Sequence, residues 1–413
     1  MKKVKMIIIF AITVICTGAV AFGVLMAVEH FVMDDWQPAE AVAVLPFPPV
    51  VEIIPIEPTD EGPPQEDIQE PMQEEEPPDE YEEDPPEYIP EELEYREIPE
   101  YIPYVPIPNI VTITLSAAGD TTLGGDRRWA GYNAFMREFE NSGRDHSHFL
   151  RNISHIFRDS CLAIVNLEGV LSYATEHMDK QFVFRGPPHF AQILSTSYVD
   201  AVTISNNHTI DFFDRGYRDT LEALRAEEIV YFGNEFKTIM EVNGIYVGMF
   251  GYRIWNDGAD NANRIAAAIT NLQNRGAQLV IAYFHWGTEH VNMPERYQIN
   301  MGRHAIRSGA DLVLGAHPHV IQGIEQYMGR YIVYSLANFS FGGNANPRDQ
   351  DSFIFQQTFS FEDGVLLPYG NTNIIPIFVS SVRYRNDFQP TIAEGEDAER
   401  ILARIEKYSE VLR

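Results

Sequence analysis

Cysteine is nearly absent, with two in 413 residues, which excludes a disulfide-rich scaffold. Basic residues are scarce, 30 lysines and arginines against 60 aspartates and glutamates, and a formal charge of −30 argues against nucleic acid as a partner. Solenoid-type repeats are missing as well. Apolar residues are not lacking: they make up 45% of the chain, a globular share that excludes wholesale disorder. The length leaves room for about two or three domains at ~100–200 residues each.

The missing positive charge is concentrated in one place. Between Asp34 and Glu100 there are 24 acidic residues and a single basic one, Arg96, so this stretch carries −23. Residues 1–33 carry +2 and residues 101–413 only −9. The same region is proline-rich, with 18 of the 26 prolines lying in 38–108. One-signed charge and high proline prevent a packed core and favour an extended chain. Residues 29–109 are therefore expected to be an acidic Pro/Glu-rich disordered stalk, acting as a spacer rather than as a binding tail for a cationic partner.

Ahead of the stalk, Met6–Val28 is a 23-residue run without a charge. About 20 apolar residues span a bilayer as a helix. Lys2, Lys3 and Lys5 precede it and Glu29, Asp34 and Asp35 follow, which places residues 1–5 in the cytoplasm and the remainder outside. A cleaved signal peptide with Ala19-Val20-Ala21 as its site is the alternative, but the run is longer than a usual h-region and continues past that site. Cys16 falls inside the run and Cys161 in the strand-like CLAIVNLE, so no disulfide is expected; no basic neighbour marks Cys161 as a nucleophile.

From Ile110 onward apolar strands alternate with helical segments, and hairpins interrupt the alternation, as at Asn243-Gly244. This pattern predicts an α/β layered fold with mixed sheets over 110–390 and a C-terminal amphipathic helix within 391–413. The polar residues sit where strands stop: Gly119-Asp120, Asn166-Leu167-Glu168, Asn206-Asn207-His208, His285-Trp286-Gly287 and His317-Pro318-His319. Sites in α/β sheets form beyond the carboxyl ends of strands. Each group alone is commonplace, as a turn, a solvated glutamate or a hydrogen-bonded histidine. Together they supply imidazole, carboxylate and amide oxygen, a donor set for a divalent metal such as Mn, Fe or Zn, as one or two ions. On an extended chain His317 and His319 point to the same side, with Gly315 and Ala316 leaving room beside them. A histidine beside a ligand asparagine, His208 after Asn207, is placed to protonate a leaving oxygen. His146, His148, His155, His177 and His189 read as surface residues, while His290 and His304 stay open.

The order GDTTLGGD, NLEG, NNHTID, HWGTEH, GAHPHV and YSLANF, running from about 112 to 345, resembles the CapA/PgsA poly-γ-glutamate capsule-synthesis family, whose domain is similar to the calcineurin-like metallophosphoesterase fold. The resemblance implies metal ligands at Asp120, Glu168, Asn207, His285, His317 and His319, and a general acid at His208. Thr122 stands where the phosphoesterase motif has a histidine, Glu168 where it has an aspartate, and Ala337 where the family usually has glycine. Asp211 is expected either to orient His208 or to cap a helix. Arg185, in FRGPP, either grips an anionic substrate or is a surface arginine; Glu289 is a second candidate substrate contact. Three functions follow: a membrane-anchored cell-surface component of capsule or poly-γ-glutamate synthesis or export, working with an anionic polymer and the synthesis machinery; a surface metallohydrolase of phosphoester or γ-glutamyl substrates; and a non-enzymatic polymer-binding scaffold.

Overall fold

The computed structural model describes residues 109–368 and 370–413. The expected anchor over 6–28 and all but the last residue of the expected stalk lie outside the described residues. Among those described, no helix is long and apolar enough to cross a membrane.

The chain starts with β1 (Ile110–Thr122), β2 (Leu162–Leu167), the short β3 (Val170–Leu171) and β4 (Arg185–Gly186), β5 (Ala201–Thr203) and β6 (Val230–Phe232). It continues with β7 (Thr238–Val242), β8 (Ile245–Ile254), β9 (Leu279–Trp286), β10 (Leu312–Ala316), β11 (Ile324–Tyr327) and β12 (Arg330–Val333). Finally come β13 (Asn338–Phe341), β14 (Asp351–Glu362), β15 (Val365–Leu366), β16 (Asn371–Phe378) and β17 (Thr391–Ile392). One sheet has the order β17-β16-β14-β1-β2-β5-β6, with β13 beside β1 and β15 beside β14. The second has the order β11-β12-β10-β9-β8-β7, and β3 and β4 form a small separate ribbon. Both large sheets are mixed: β1, β2, β5 and β6 run parallel, as do β8, β9, β10 and β12, while antiparallel strands complete the edges.

The side-chain period of two explains the layers. In β9, Leu279, Ile281 and Tyr283 join the core between the two sheets, while Val280, Ala282, Phe284 and Trp286 join a core on the opposite face. Ile113, Leu115 and Ala117 of β1 enter the same inter-sheet core from the other sheet. The outer faces are covered by helices. Ala259–Asn274 buries Ile265, Ala268, Ile269 and Leu272, a stripe at helical spacing, against the second sheet. Phe213–Ala226 turns Leu221 and Leu224 toward the first. The expected turn at Asn243-Gly244 is present between β7 and β8, with both residues at positive φ, 52° and 80°. Cys161 lies one residue before β2 and is half-buried.

The C-terminal helix, Gly395–Glu410, packs against β11 of one sheet and β16 of the other, and Ile401 and Ile405 belong to the inter-sheet core. Arg400 and Arg404 fasten it to Asp351, at 2.8 Å and 2.7 Å. Burial pushes the Asp351 carboxyl up, but the hydrogen bonds from these arginines prevail and hold it below its ordinary range. A carboxylate lowered on folding stabilises fully above its unfolded value near pH ~4, and the contribution fades as pH falls through the lowered value. Asp351→Asn is expected to cost about 2 kcal/mol at pH 7, with the gap to wild type closing toward pH ~3 in urea melts. A gap that stays constant with pH would rule out this ion-pair account.

Candidate metal centre

Four parallel strands, two from each sheet, deliver the expected donors at their carboxyl ends. Asp120 lies two residues before the end of β1 and Glu168 follows β2. His285 lies near the end of β9, and His317 follows β10. A register shift between Ala117 and Asp120 breaks the β1–β2 ladder just before the aspartate, as bulges beside sites do. Gly119 is required there: a Cβ would meet the carbonyl oxygen of Ala337 at 1.9 Å. Ala337, where glycine is usual, sits at φ 60°, a conformation that favours glycine.

Three donor groups have ligand atoms within 4.8 Å of one another: Asp120, Glu168 and His319; Glu168, His285 and His317; and Glu289, His317 and His319. Glu168 belongs to two of them. It is fully buried, and neither carboxylate oxygen has a hydrogen-bond partner; His317 Nδ1 is equally orphaned. The nearest cationic-capable atoms, His208 Nε2 and His319 Nε2, stand 3.7 and 3.9 Å from Glu168 Oε1. A buried carboxylate without a hydrogen bond, its nearest cationic group 3.7–3.9 Å away, is costly unless a closer cation compensates it. The residues present therefore fit a divalent metal of the kind expected from the sequence, with nitrogen and oxygen donors and no thiolate.

Asp120 contrasts with Glu168. It accepts from Asn166 Nδ2 at 2.7 Å and from the His317 amide at 3.2 Å, and lies 3.1 Å from His319 Nδ1. Burial pushes its carboxyl up, but the hydrogen bond and charge of His319 pull it below its ordinary range. Burial and the neighbouring Asp120 charge push Glu168 well above its own. Burial would lower His319, yet Glu168 and Asp120 raise it to about 10. His317 falls to about 4 and His285 well below its ordinary value, both chiefly through burial and neighbouring histidines. Asn207 Oδ1 lies 2.8 Å from His285 Nε2, which brings this candidate ligand to the cluster too.

The reason offered for His317 and His319 facing one site needs correction. β10 ends at Ala316, and both histidines leave the extended conformation, with φ of 96° and 58°. A left-handed turn, strained for a side-chain-bearing residue, points them inward in place of strand alternation. Gly315 likewise does not make room for ligands: its missing Cβ would lie 2.1 Å from the Tyr334 carbonyl oxygen.

His208 lines the same cluster, with Nδ1 2.7 Å from Asp211 Oδ2. That pairing directs Nε2 toward Glu168. Burial lowers the imidazole below its ordinary value against the opposing pull of Asp211. Of the two roles open to Asp211, orientation is the one observed: the helix beginning at Phe213 has no side-chain cap. Asp211 also accepts from the Phe184 amide at 2.6 Å and faces Lys180 Nζ at 2.5 Å. The Phe184 ring stacks on His208, centroids 4.0 Å apart. Thr122 donates to the Glu168 carbonyl at 2.8 Å, so the residue in the histidine's place braces the loop that carries Glu168.

Arg185 is not brought to the donor cluster and is not a surface residue. It is buried, with its guanidinium 5.0 Å from the Phe212 ring centroid. Glu289 is exposed and joins the donors His317 and His319. His146 and His189 also differ from expectation: they are half-buried and share a hydrogen bond of 2.8 Å. His304 links two helices through the Ala262 carbonyl, and the His290 amide donates to Pro318.

Several residues at the centre were not singled out in the sequence. Lys180 buttresses Asp211, and Asn338 Oδ1 lies 3.0 Å from His319 Nδ1. Trp255, half-exposed, sets its ring 5.0 Å from that of His317. Trp255 follows β8 directly, so the strand-end rule that pointed to the candidate donors also applies to it.

Residues 114–343 match the family described as bacterial capsule synthesis protein PGA_cap. Among curated relatives, the chain is 26% identical to "PGA biosynthesis protein CapA" of Bacillus subtilis (strain 168) over 49% of its own length and 59% of the relative's. It is 29% identical to "Capsule biosynthesis protein CapA" of Bacillus anthracis, over 38% and 43%. It is 24% identical to "Probable polyglutamine synthesis accessory protein Rv0574c" of Mycobacterium tuberculosis, over 56% and 69%. The matches thus span about half the length of the two Bacillus relatives.

Proposed function

The chain belongs to the bacterial capsule synthesis protein PGA_cap family, and on that premise we propose that it serves in the synthesis or export of a poly-γ-glutamate capsule polymer, using a divalent-metal centre at its strand ends. Kinship supports the polymer and the synthesis machinery as partners. The metal centre rests on one observation, the fully buried Glu168 carboxylate with no hydrogen-bond partner on either oxygen.

Asp120, Glu168, His285, His317 and His319 would hold the metal, with Asn207 beside them. When bound, a divalent metal supplies Lewis-acid polarisation of a substrate oxygen and neutralises charge that builds up on it. The chain's own contribution is proton management and shape. Asp211 fixes the His208 ring with Nδ1 occupied, so Nε2 is the atom free to take up a proton and, once the ring is protonated, to pass it to a leaving oxygen. Phe184 packs over that ring and keeps bulk water off one face. This His208–Asp211 pair favours a metal-dependent hydrolase, acting on a phosphoester or γ-glutamyl link, as the chemistry within the polymer role.

Placement follows the sequence: residues 6–28 anchor the chain, the acidic stretch 29–109 spaces it from the membrane, and the folded part faces the outside of the cell. Protease shaving of wall-stripped cells is expected to release the folded part intact; full protection would refute that orientation.

Metal analysis of the purified chain tests the centre, paired with turnover of phosphoester and γ-glutamyl substrates. At least about one equivalent of Mn, Fe or Zn per chain is expected, lost together with turnover in a Glu168→Gln, His317→Ala double variant. Substoichiometric metal in wild type would refute a metal-dependent role.

A further inference from the structure

A second polar feature lies outside the donor cluster. Arg185 is 7% exposed, and its Nη1 has no hydrogen-bond partner. Among the described residues no carboxylate pairs with it. A buried guanidinium normally has a fork of acceptors, because its donors lose water on burial. Here one face rests on the Phe212 ring and the group borders a cleft of about 240 Å³. Arg127, Thr175 and His177 line the same cleft.

The one carboxylate in that lining is already committed. Asp126 accepts from Arg128 Nη2 at 2.7 Å, from the Arg128 amide at 2.9 Å and from the Val183 amide at 3.0 Å. That leaves the charges of Arg127 and Arg185 uncompensated. Arg127 is exposed and lies over the Tyr132 ring, 5.8 Å from its centroid, with no ion pair among the described residues. Two arginines converging without a carboxylate repel each other unless an anion joins them.

The position of the cleft matters as much as its charge. Arg185 follows Phe184, whose ring covers His208, and Phe212 follows Asp211, which orients His208. The cleft is thus one residue along the chain from two side chains that touch His208, although neither His208 nor any donor lines it. Ligand pockets for whole small molecules run to ~300–1,000 Å³. At about 240 Å³ the cleft suits one side group of a longer ligand.

We propose that this cleft is an oxyanion subsite, in which Arg185 and Arg127 grip one carboxylate of an extended acidic polymer while a neighbouring link lies at the donor cluster. The identity of the polymer rests on the function proposed above; the oxyanion chemistry does not. Binding of a γ-linked glutamate oligomer and of inorganic phosphate is measured by calorimetry on the full-length chain at matched metal content. Arg185→Gln is expected to weaken oligomer binding by about tenfold or more, and Arg127→Gln by about two- to fivefold, both effects shrinking at high salt. Arg127 is exposed, so its variant keeps the test valid if Arg185→Gln fails to fold. Phosphate binding that depends on both arginines, without oligomer binding by wild type, would uphold the subsite and overturn the γ-glutamyl polymer. Folded variants that bind both ligands as wild type does, or a wild type that binds neither, would overturn the subsite itself.

Discussion

Replacing Glu168 by glutamine is expected to stabilise the metal-free chain and to abolish its stabilisation by metal. The wild-type carboxylate is buried without a hydrogen-bond partner, so the metal-free fold carries a polar group stripped of water and given nothing in return. Glutamine leaves a polar group in place but cannot ionise, so the variant is spared the cost of burying a carboxyl whose charged form the site disfavours. Thermal melts in a chelator should therefore place Glu168→Gln above wild type. With a divalent metal in hundredfold excess over its dissociation constant, wild type should gain about 2.7 kcal/mol and the variant little. The crossing of the two orders is the signature. Parallel shifts in both conditions would mean that Glu168 has nothing to do with metal.

His208→Ala is expected to reduce turnover by roughly 10²–10⁴ while leaving metal content as in wild type. The separation follows from geometry: His208 Nε2 approaches Glu168 no closer than 3.7 Å, and its Nδ1 is bonded to Asp211. Asp211→Asn keeps the shape but loses the charge that sets the ring's tautomer, and should cost about 10–100-fold. Lys180→Met removes the ion pair behind Asp211 and should fall in the same direction by less. Equal turnover in wild type and His208→Ala would remove proton delivery from this residue. Loss of metal in that variant would instead make it a ligand.

The strands and the donors were legible in the sequence because both follow short-range rules. An apolar run such as LVIAYFHW can only be buried on both faces, and what closes it must lie at a sheet edge. That logic pointed to Asp120, Glu168, Asn207, His285, His317 and His319 as candidate donors. It failed where orientation depends on the tertiary fold. The inward aim of His319 comes from a left-handed turn, which the letters HPH do not announce. Gly315 fails similarly, being small because the Tyr334 carbonyl crowds it. Arg185 looked undecided because burial of a single arginine depends on Phe212, 27 positions away in the chain. Lys180 and Trp255 were passed over, the first in a loop without a pattern, the second at the end of β8, which only the structure delimits.

The two facing sheets give the donor cluster one more property. Its members are scattered from Asp120 to His319 and come from both sheets, and the helix Gly395–Glu410 spans the same two sheets from behind. No fragment that stops short of β10 contains a complete set. Metal uptake is thus available only after nearly the whole domain has been threaded, paired and closed. For a chain placed outside the cell, as proposed above, bound metal would then certify finished assembly. A half-made copy would stay empty and, lacking the proposed ion, would be the easier prey for a protease.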